Sequence, residues 1–342
     1  MTAASATQPR KGASWMWLGV CGVLALSIIS MMVGKYGAGP VVLFAAAKAA
    51  LTGVDVDPIL STVLWNVRLP RVLAGLCVGA ALSAAGATYQ GLFRNPLVSP
   101  DILGVSAGAS LGAVLGIFLS LPVVAIQLLG FAGGLLCVAA VYAVGATIRG
   151  RDPVLTLVLA GVAIGALVGA GISLIKILAD PYDQLPAITY WLLGSLTAVT
   201  RFDVLSILPA LIVGVVPLVL LRWRMNVMTL SDDEAQTMGI DTFRTRALLI
   251  AAATLITAAS VSVTGIIGWV GLIIPHIARM LVGPDFRKLL PTSMMLGGGY
   301  LLVVDMLARS IALIEVPLGI LTAAVGAPFF LWLLAAGKRG WQ

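Results

Sequence analysis

Apolar runs follow one another along almost the whole chain, broken by short clusters of charge, proline and glycine. Runs near twenty residues point to membrane-crossing helices, because a helix rises about 1.5 Å per residue and the hydrocarbon is about 30 Å thick. The runs are continuous, whereas barrel strands would alternate with period two. The pattern predicts ten spans, at about 15–34, 65–92, 102–121, 123–147, 154–178, 203–221, 247–264, 267–282, 292–313 and 318–336. The weakly polar residues 35–62, with Lys48, Asp55 and Asp57, are expected outside with a short surface helix. RNPLVSPD (94–101) is expected as an inner loop whose two prolines block a continued helix. The outer segment 179–201 is expected to hold a partial helix at YWLLGSL (190–196).

One internal stretch breaks this rhythm. Residues 222–246 read RWRMNVMTLSDDEAQTMGIDTFRTR, with Arg222, Arg224, Arg244 and Arg246 at the edges and Asp232, Asp233, Glu234 and Asp241 between them. Connections in compact domains are usually short, so a polar loop of this size suggests function. A short helix is expected after Ser231, which can cap it, with the acids near its positive N-terminal end. Gly239 can supply the positive φ that ends it.

Composition agrees with a helical membrane protein. Of 342 residues, 60% are hydrophobic and 10% charged, against roughly 25% charged in soluble domains. The net charge of +7 follows from the excess of Lys and Arg that membrane proteins keep on the cytoplasmic side, without nucleic acid. With ten spans, fourteen of the 21 lysines and arginines fall inside, among them Arg10, Lys11, Arg94, Arg149, Arg151, Lys338 and Arg339. This places both termini and the 222–246 stretch in the cytoplasm. Arg68, Arg71 and Arg309 fall near the outer face. No small-residue cleavage site follows the first apolar run, which is therefore taken as a span rather than a signal peptide.

Several chemistries are excluded or disfavoured. Cys21, Cys77 and Cys137 are scattered in apolar segments and form neither a metal cluster nor a disulfide framework. His276 is the single histidine, so a multi-histidine metal or haem site is excluded, and a structural, hydrogen-bonded role is expected for it. No phosphate loop or dinucleotide fingerprint is present, so the chain is expected not to be an enzyme and to draw its driving force from a partner. Intramembrane carboxylates are too few for a proton relay. Asp305 and Arg309, four apart, are expected to pair on one helix face. Glycines at four-residue spacing (75 and 79; 104, 108, 112 and 116; 161, 165 and 169) predict close helix packing. The arginine-led stretches from Arg68 and Arg244 share a pattern and start on opposite sides, as an inverted repeat of spans 2–5 and 7–10 requires.

RLPR (68–71), YQGLFRNPLVSPDILGVSAGAS (89–110), YWLLGSL (190–196), GWVGLIIPHIARMLVG (268–283) and PLGILTAAVGAPFFLWLL (317–334) together resemble the FecCD-type permeases of bacterial ABC importers. The resemblance covers nearly the whole chain. It implies an all-α, type II importer fold: one permease domain over 1–342, with 222–246 as its ATPase-coupling loop, in the bacterial inner membrane. It implies as partners two copies of a cytoplasmic ATPase, a periplasmic substrate-binding protein and a second permease copy in a homodimer. No cofactor or resident metal is implied. Arg68, Arg71 and Arg309 match positions that receive acidic residues of the binding protein, with outward-facing guanidinium groups. Glu234, Ala235 and Gly239 match the coupling signature, although Gln236 stands where a second alanine is usual. Val154 and Leu155, in the turn 152–156, match a cytoplasmic gate. The expected cargo is a ferric siderophore. Haem, cobalamin and molybdate are alternatives, and ion-coupled secondary transport or a passive channel are rival classes.

Overall fold

The computed structural model describes residues 14–34, 37, 39–52, 57–148 and 153–336, and every regular element among them is helical. The elements are α1 (Ser14–Met32), α2 (Pro40–Thr52), α3 (Pro58–Ser61), a π-helical segment Thr62–Arg68, α4 (Leu69–Leu92), a 3-10 turn Pro100–Leu103, α5 (Val105–Phe118), α6 (Val123–Thr147), α7 (Pro153–Leu178) and α8 (Gln184–Leu192). They continue with α9 (Arg201–Leu220), α10 (Arg222–Met228), α11 (Asp232–Thr237), α12 (Thr242–Thr264), α13 (Val270–Val282), α14 (Phe286–Ser310) and α15 (Leu318–Ala336). Short polar side chains start several of them. Thr200 and Asp203 form a reciprocal cap on α9, and Asp241 and Asp285 accept from the first turns of α12 and α14.

Each of the ten expected positions holds an apolar helix, and α2, in the segment expected outside, is a further apolar helix. Six elements are long and apolar enough to cross a membrane alone: Pro58–Leu92, α6, α7, α9, α12 and α14. α1, α2, α5, α13 and α15 supply shorter apolar helices. At 14 and 13 residues, α5 and α13 extend only about 20 Å. Over the expected repeat of spans 2–5 and 7–10, three helix lengths correspond, with 24, 14 and 25 residues in α4, α5 and α6 and 23, 13 and 25 in α12, α13 and α14, while the fourth pair, α7 and α15, differs at 26 and 19. The outer partial helix lies earlier than expected, at α8, and ends before Gly194, which takes φ +70°. Arg10, Lys11, Lys35, Asp55, Arg149, Arg151, Asp152, Lys338 and Arg339 lie outside the described residues.

α4, α12 and α14 form the centre. Some of their polar side chains are satisfied locally: the Thr88, Thr257 and Ser260 hydroxyls donate to carbonyls four residues back, at 2.7–2.8 Å, whereas the Ser83, Ser293 and Tyr300 hydroxyls are buried without a hydrogen-bond partner among the described residues. The Tyr89 and Thr254 hydroxyls meet at 2.9 Å between α4 and α12. Small residues let backbones touch. A methyl group on Gly79 would strike the Gly297 carbonyl of α14, and one on Gly108 would strike Gly133 of α6. The expected glycine ladders are only partly packing devices. Gly104 instead has φ +75° and opens α5, while Gly165 and Gly169 of α7 face open space.

On the side expected to face outward, backbone bonds join three loops. Ser195 N donates to Thr264 O at 2.7 Å, Leu318 N to Gly194 O at 2.9 Å, and Gly319 N to Leu193 O at 3.0 Å. These bonds tie the end of α8 to the end of α12 and the start of α15.

Candidate functional site

Polar side chains concentrate at the two ends of the central helices. At the end expected to face outward, Arg71 projects from the first turn of α4. Its Nε donates to Asp305 of α14 at 2.7 Å and its Nη1 to Glu315 at 2.8 Å. Arg309, one turn after Asp305, places Nη2 3.0 Å from the other carboxylate oxygen, an ion contact without hydrogen-bond geometry. The expected Asp305–Arg309 pair therefore exists, with Arg71 as a third member. Arg309 also donates to Val33 O at 3.0 Å and Ser30 Oγ at 2.9 Å, fixing α1. Arg68 donates to Met31 O at 2.7 Å.

The three arginines thus converge, but their guanidinium groups do not face outward. Arg68 and Arg71 are 4% exposed and Arg309 8%, and Asp305 is fully buried. The physical reason is that guanidinium groups beside lipid need partners, and α14 and α1 supply them. The sequence hid this because Asp305 and Glu315 lie 234 and 244 residues from Arg71. Glu315, in the loop after α14, is the partly exposed member of the network. Burial raises its carboxyl, but the Thr197 hydroxyl, which donates to it at 2.6 Å, and Arg71 outweigh burial and hold it below the usual range.

At the opposite end, expected to face the cytoplasm, the 222–246 stretch folds as α10, α11 and the start of α12. Ser231 and Glu234 form a reciprocal cap: the Ser231 N–H donates to Glu234 Oε2 at 2.9 Å, and Ser231 Oγ accepts from the Glu234 N–H. The Ser231 hydrogen bonds lower the Glu234 carboxyl. Gly239 has φ +78°, as its expected role required. Of the three signature residues, Glu234 is turned back onto its own helix and Ala235 is buried. They shape the segment. The apolar surface it offers is Trp223, Leu230, Met238 and Phe243, all exposed, which the sequence did not single out.

Two side-chain contacts tie this segment to the central helices. Asp232 accepts from Arg94 Nη2 at 2.6 Å and from Arg246 Nη2 at 2.9 Å on each oxygen. Arg94 follows α4 and adopts φ +50°, unusual for a residue with a side chain. Partial burial raises the Asp232 carboxyl, but Arg246 and Arg94 outweigh it and hold it low. Asn226 of α10 donates to Asp285 at 2.7 Å and accepts from the Phe286 N–H at 2.8 Å, gripping the start of α14. Backbone and side-chain hydrogen bonds also lower the Asp285 carboxyl.

The expected gate residues sit at the start of α7. Val154 packs against the core, and Leu155 is exposed. The rest of that turn, Asp152 included, lies outside the described residues. His276 on α13 departs from expectation: its Nδ1 is buried without a hydrogen-bond partner among the described residues. Nearby, Arg279 donates to Gln90 at 3.0 Å, joining α13 to α4. Among the described residues, no group of three or more potential ligands is placed to hold a metal.

The FecCD transport family matches residues 22–336. A cobalamin import system permease of Halobacterium salinarum is 44% identical over 84% of this chain and 77% of its own length. An iron chelatin transport system permease of Helicobacter pylori is 42% identical over 80% of this chain and 83% of its own. A solved structure described as an inward-facing, metal-chelate type ABC transporter superposes with a TM-score of 0.85 at 34% identity, covering 94% of this chain and 99% of that one.

Proposed function

The chain belongs to the FecCD transport family, and on that premise we propose that it carries a ferric siderophore through the inner membrane as one permease of a homodimeric ABC importer. ATP hydrolysis occurs in two copies of a separate cytoplasmic subunit, and a periplasmic binding protein delivers the cargo. One observation carries this reading. The polar clusters at the two ends of the molecule are built on the same two helices, α4 and α14, through Arg71–Asp305 at one end and Arg94–Asp232 and Asp285–Asn226 at the other.

The outer cluster is the docking site. It holds three arginines against two carboxylates, so one positive charge is in excess, and an arriving carboxylate can compete with Glu315 for Arg71. The inner segment is the motor contact, with the Glu234 cap, buried Ala235 and Gly239 setting its shape and Leu230 and Met238 its apolar surface. Val154 and Leu155 close the path on the cytoplasmic side with apolar groups. The exposed apolar flank of α7 and the open Gly165 and Gly169 suit close approach of the second copy. The iron chelate is favoured by the Helicobacter pylori relative. Cobalamin is the second reading, favoured by the Halobacterium salinarum relative.

The test is uptake into proteoliposomes holding the permease, its ATPase and its binding protein, with radiolabelled ferric siderophore, haemin, cobalamin and molybdate offered in turn. ATP-dependent accumulation of the siderophore is expected. Accumulation of cobalamin instead would replace the cargo, and uptake driven by a proton gradient without ATP would overturn the importer. Charge reversal at Arg68 and Arg71 should weaken capture of the loaded binding protein by the folded permease.

A further inference from the structure

The coupling segment is attached to the transmembrane body in a specific way. α11 is six residues long and α10 seven, too short to hold their own structure in water. Two side chains fix them to the bundle. Asp232, in the first turn of α11, is held by Arg94, which follows α4, and by Arg246, on α12. Arg246 is itself 7% exposed, so this pair is anchored in protein on one side. Asn226 engages the first turn of α14 with a donor and an acceptor together. The two attachment points therefore meet α4, α12 and α14, the three most buried long helices.

Between the ends, α4 and α14 cannot easily slide apart. Their backbones touch at Gly79 and Gly297, and Arg71 joins Asp305 at the far end. A push on α10 and α11 is thus delivered to a pair of helices already locked together, and reaches the outer arginine cluster through packed backbone.

We propose that Asp232 and Asn226 are positioning residues that latch the coupling segment to the α4–α12–α14 core, converting motor movement into opening of the transmembrane path. This rests on the importer assignment. The latches act after the ATPase has bound: Asp232 faces Arg94 and Arg246, and Asn226 faces Asp285, both toward the bundle.

The test uses the full reconstituted complex and whichever of the four offered cargoes the wild type accumulates. ATP hydrolysis and cargo uptake are measured together. Asp232→Asn and Asn226→Ala should each retain the ATPase in pull-down and hydrolyse ATP near the wild-type rate. Uptake per ATP should fall about ten-fold. Asp232→Glu, which keeps the charge, should recover most of the loss. Arg94→Gln, which removes one arm and leaves Arg246 in place, should show a smaller loss if Asp232→Asn proves unstable. Combining Arg94→Gln with Asp232→Asn should add nothing to the latter, because Asp232→Asn already removes the ion pair with Arg94. Wild-type uptake per ATP in both single latch variants would overturn the latch. A wild-type chain that binds no ATPase would overturn the importer assignment instead.

Discussion

α4 and α7 are nearly equal in length, both apolar and both studded with small residues, yet they live in opposite surroundings. Within their most hydrophobic windows, α4 is 78% buried and α7 11%. The more hydropathic is the exposed one, at 2.3 against 1.6 for the element containing α4. In water the order would be reversed. In lipid, tails are as apolar as leucine, so apolarity gives no reason to go inside, and close packing and polar contacts decide instead. α4 carries Arg71, Ser83, Thr88, Tyr89 and Gln90, each of which is buried. α7 presents Leu159, Val162, Leu167, Leu174 and Ile177 outward.

The contrast can be broken from either side. The largest effect is expected at Asp305, whose replacement by Asn leaves Arg71 and Arg309 without their buried counter-charge. A loss of about 3–5 kcal/mol should appear in detergent thermal melts, whereas Lys176→Gln near the end of α7 should stay within about 0.5 kcal/mol. Next comes Gly79→Leu, which forces α4 from α14 at a cost of about 1–3 kcal/mol or more. Gly165→Leu on α7 should melt as wild type and act, if at all, on dimer formation, read by size-exclusion chromatography. If Gly165→Leu destabilised the isolated chain as much as Gly79→Leu, small-residue spacing alone would set packing and the contrast would fail. Tyr89→Phe, which removes the hydroxyl contact to Thr254, should cost about 1 kcal/mol.

The smallest effect sharpens the comparison by pH. The folded Asp232 carboxyl is held below its ordinary value, near 3.9. Its contribution is therefore complete above that value and is lost as pH falls through the lower folded one. Amide exchange in α11 should stay constant from neutral pH down to about 4 after correction for the intrinsic rate, then rise. α7 should not respond over the same range.

Much of this was legible in the chain. Hydropathy located the long apolar helices, since each apolar run must be satisfied by its own backbone in lipid. The Ser231 cap and the left-handed Gly239 followed from local chemistry that needs no tertiary partner. What the chain concealed were the long-range pairs. Arg94 meets Asp232 across 138 positions and Asn226 meets Asp285 across 59, so no local pattern marks them. The burial of Arg68, Arg71 and Arg309 was hidden likewise. A position near the outer face predicts solvent until the neighbouring helices are in place.

The stitches among residues 193–195, 264 and 318–319 involve no side chain. The bonds ask only for a free amide and a carbonyl, so the side chains at Leu193 and Ser195 can change while the joint stays intact, whereas Gly194, at φ +70°, and Gly319 cannot take a Cβ without striking the Ile266 and Leu193 carbonyls. An alanine scan would register the clashes at these two glycines and miss the bonds themselves. Proline at 195, 318 or 319, which deletes the donor, is the substitution that would reveal it. Sequence variability at the outer rim of this bundle is therefore no measure of how firmly that rim is held.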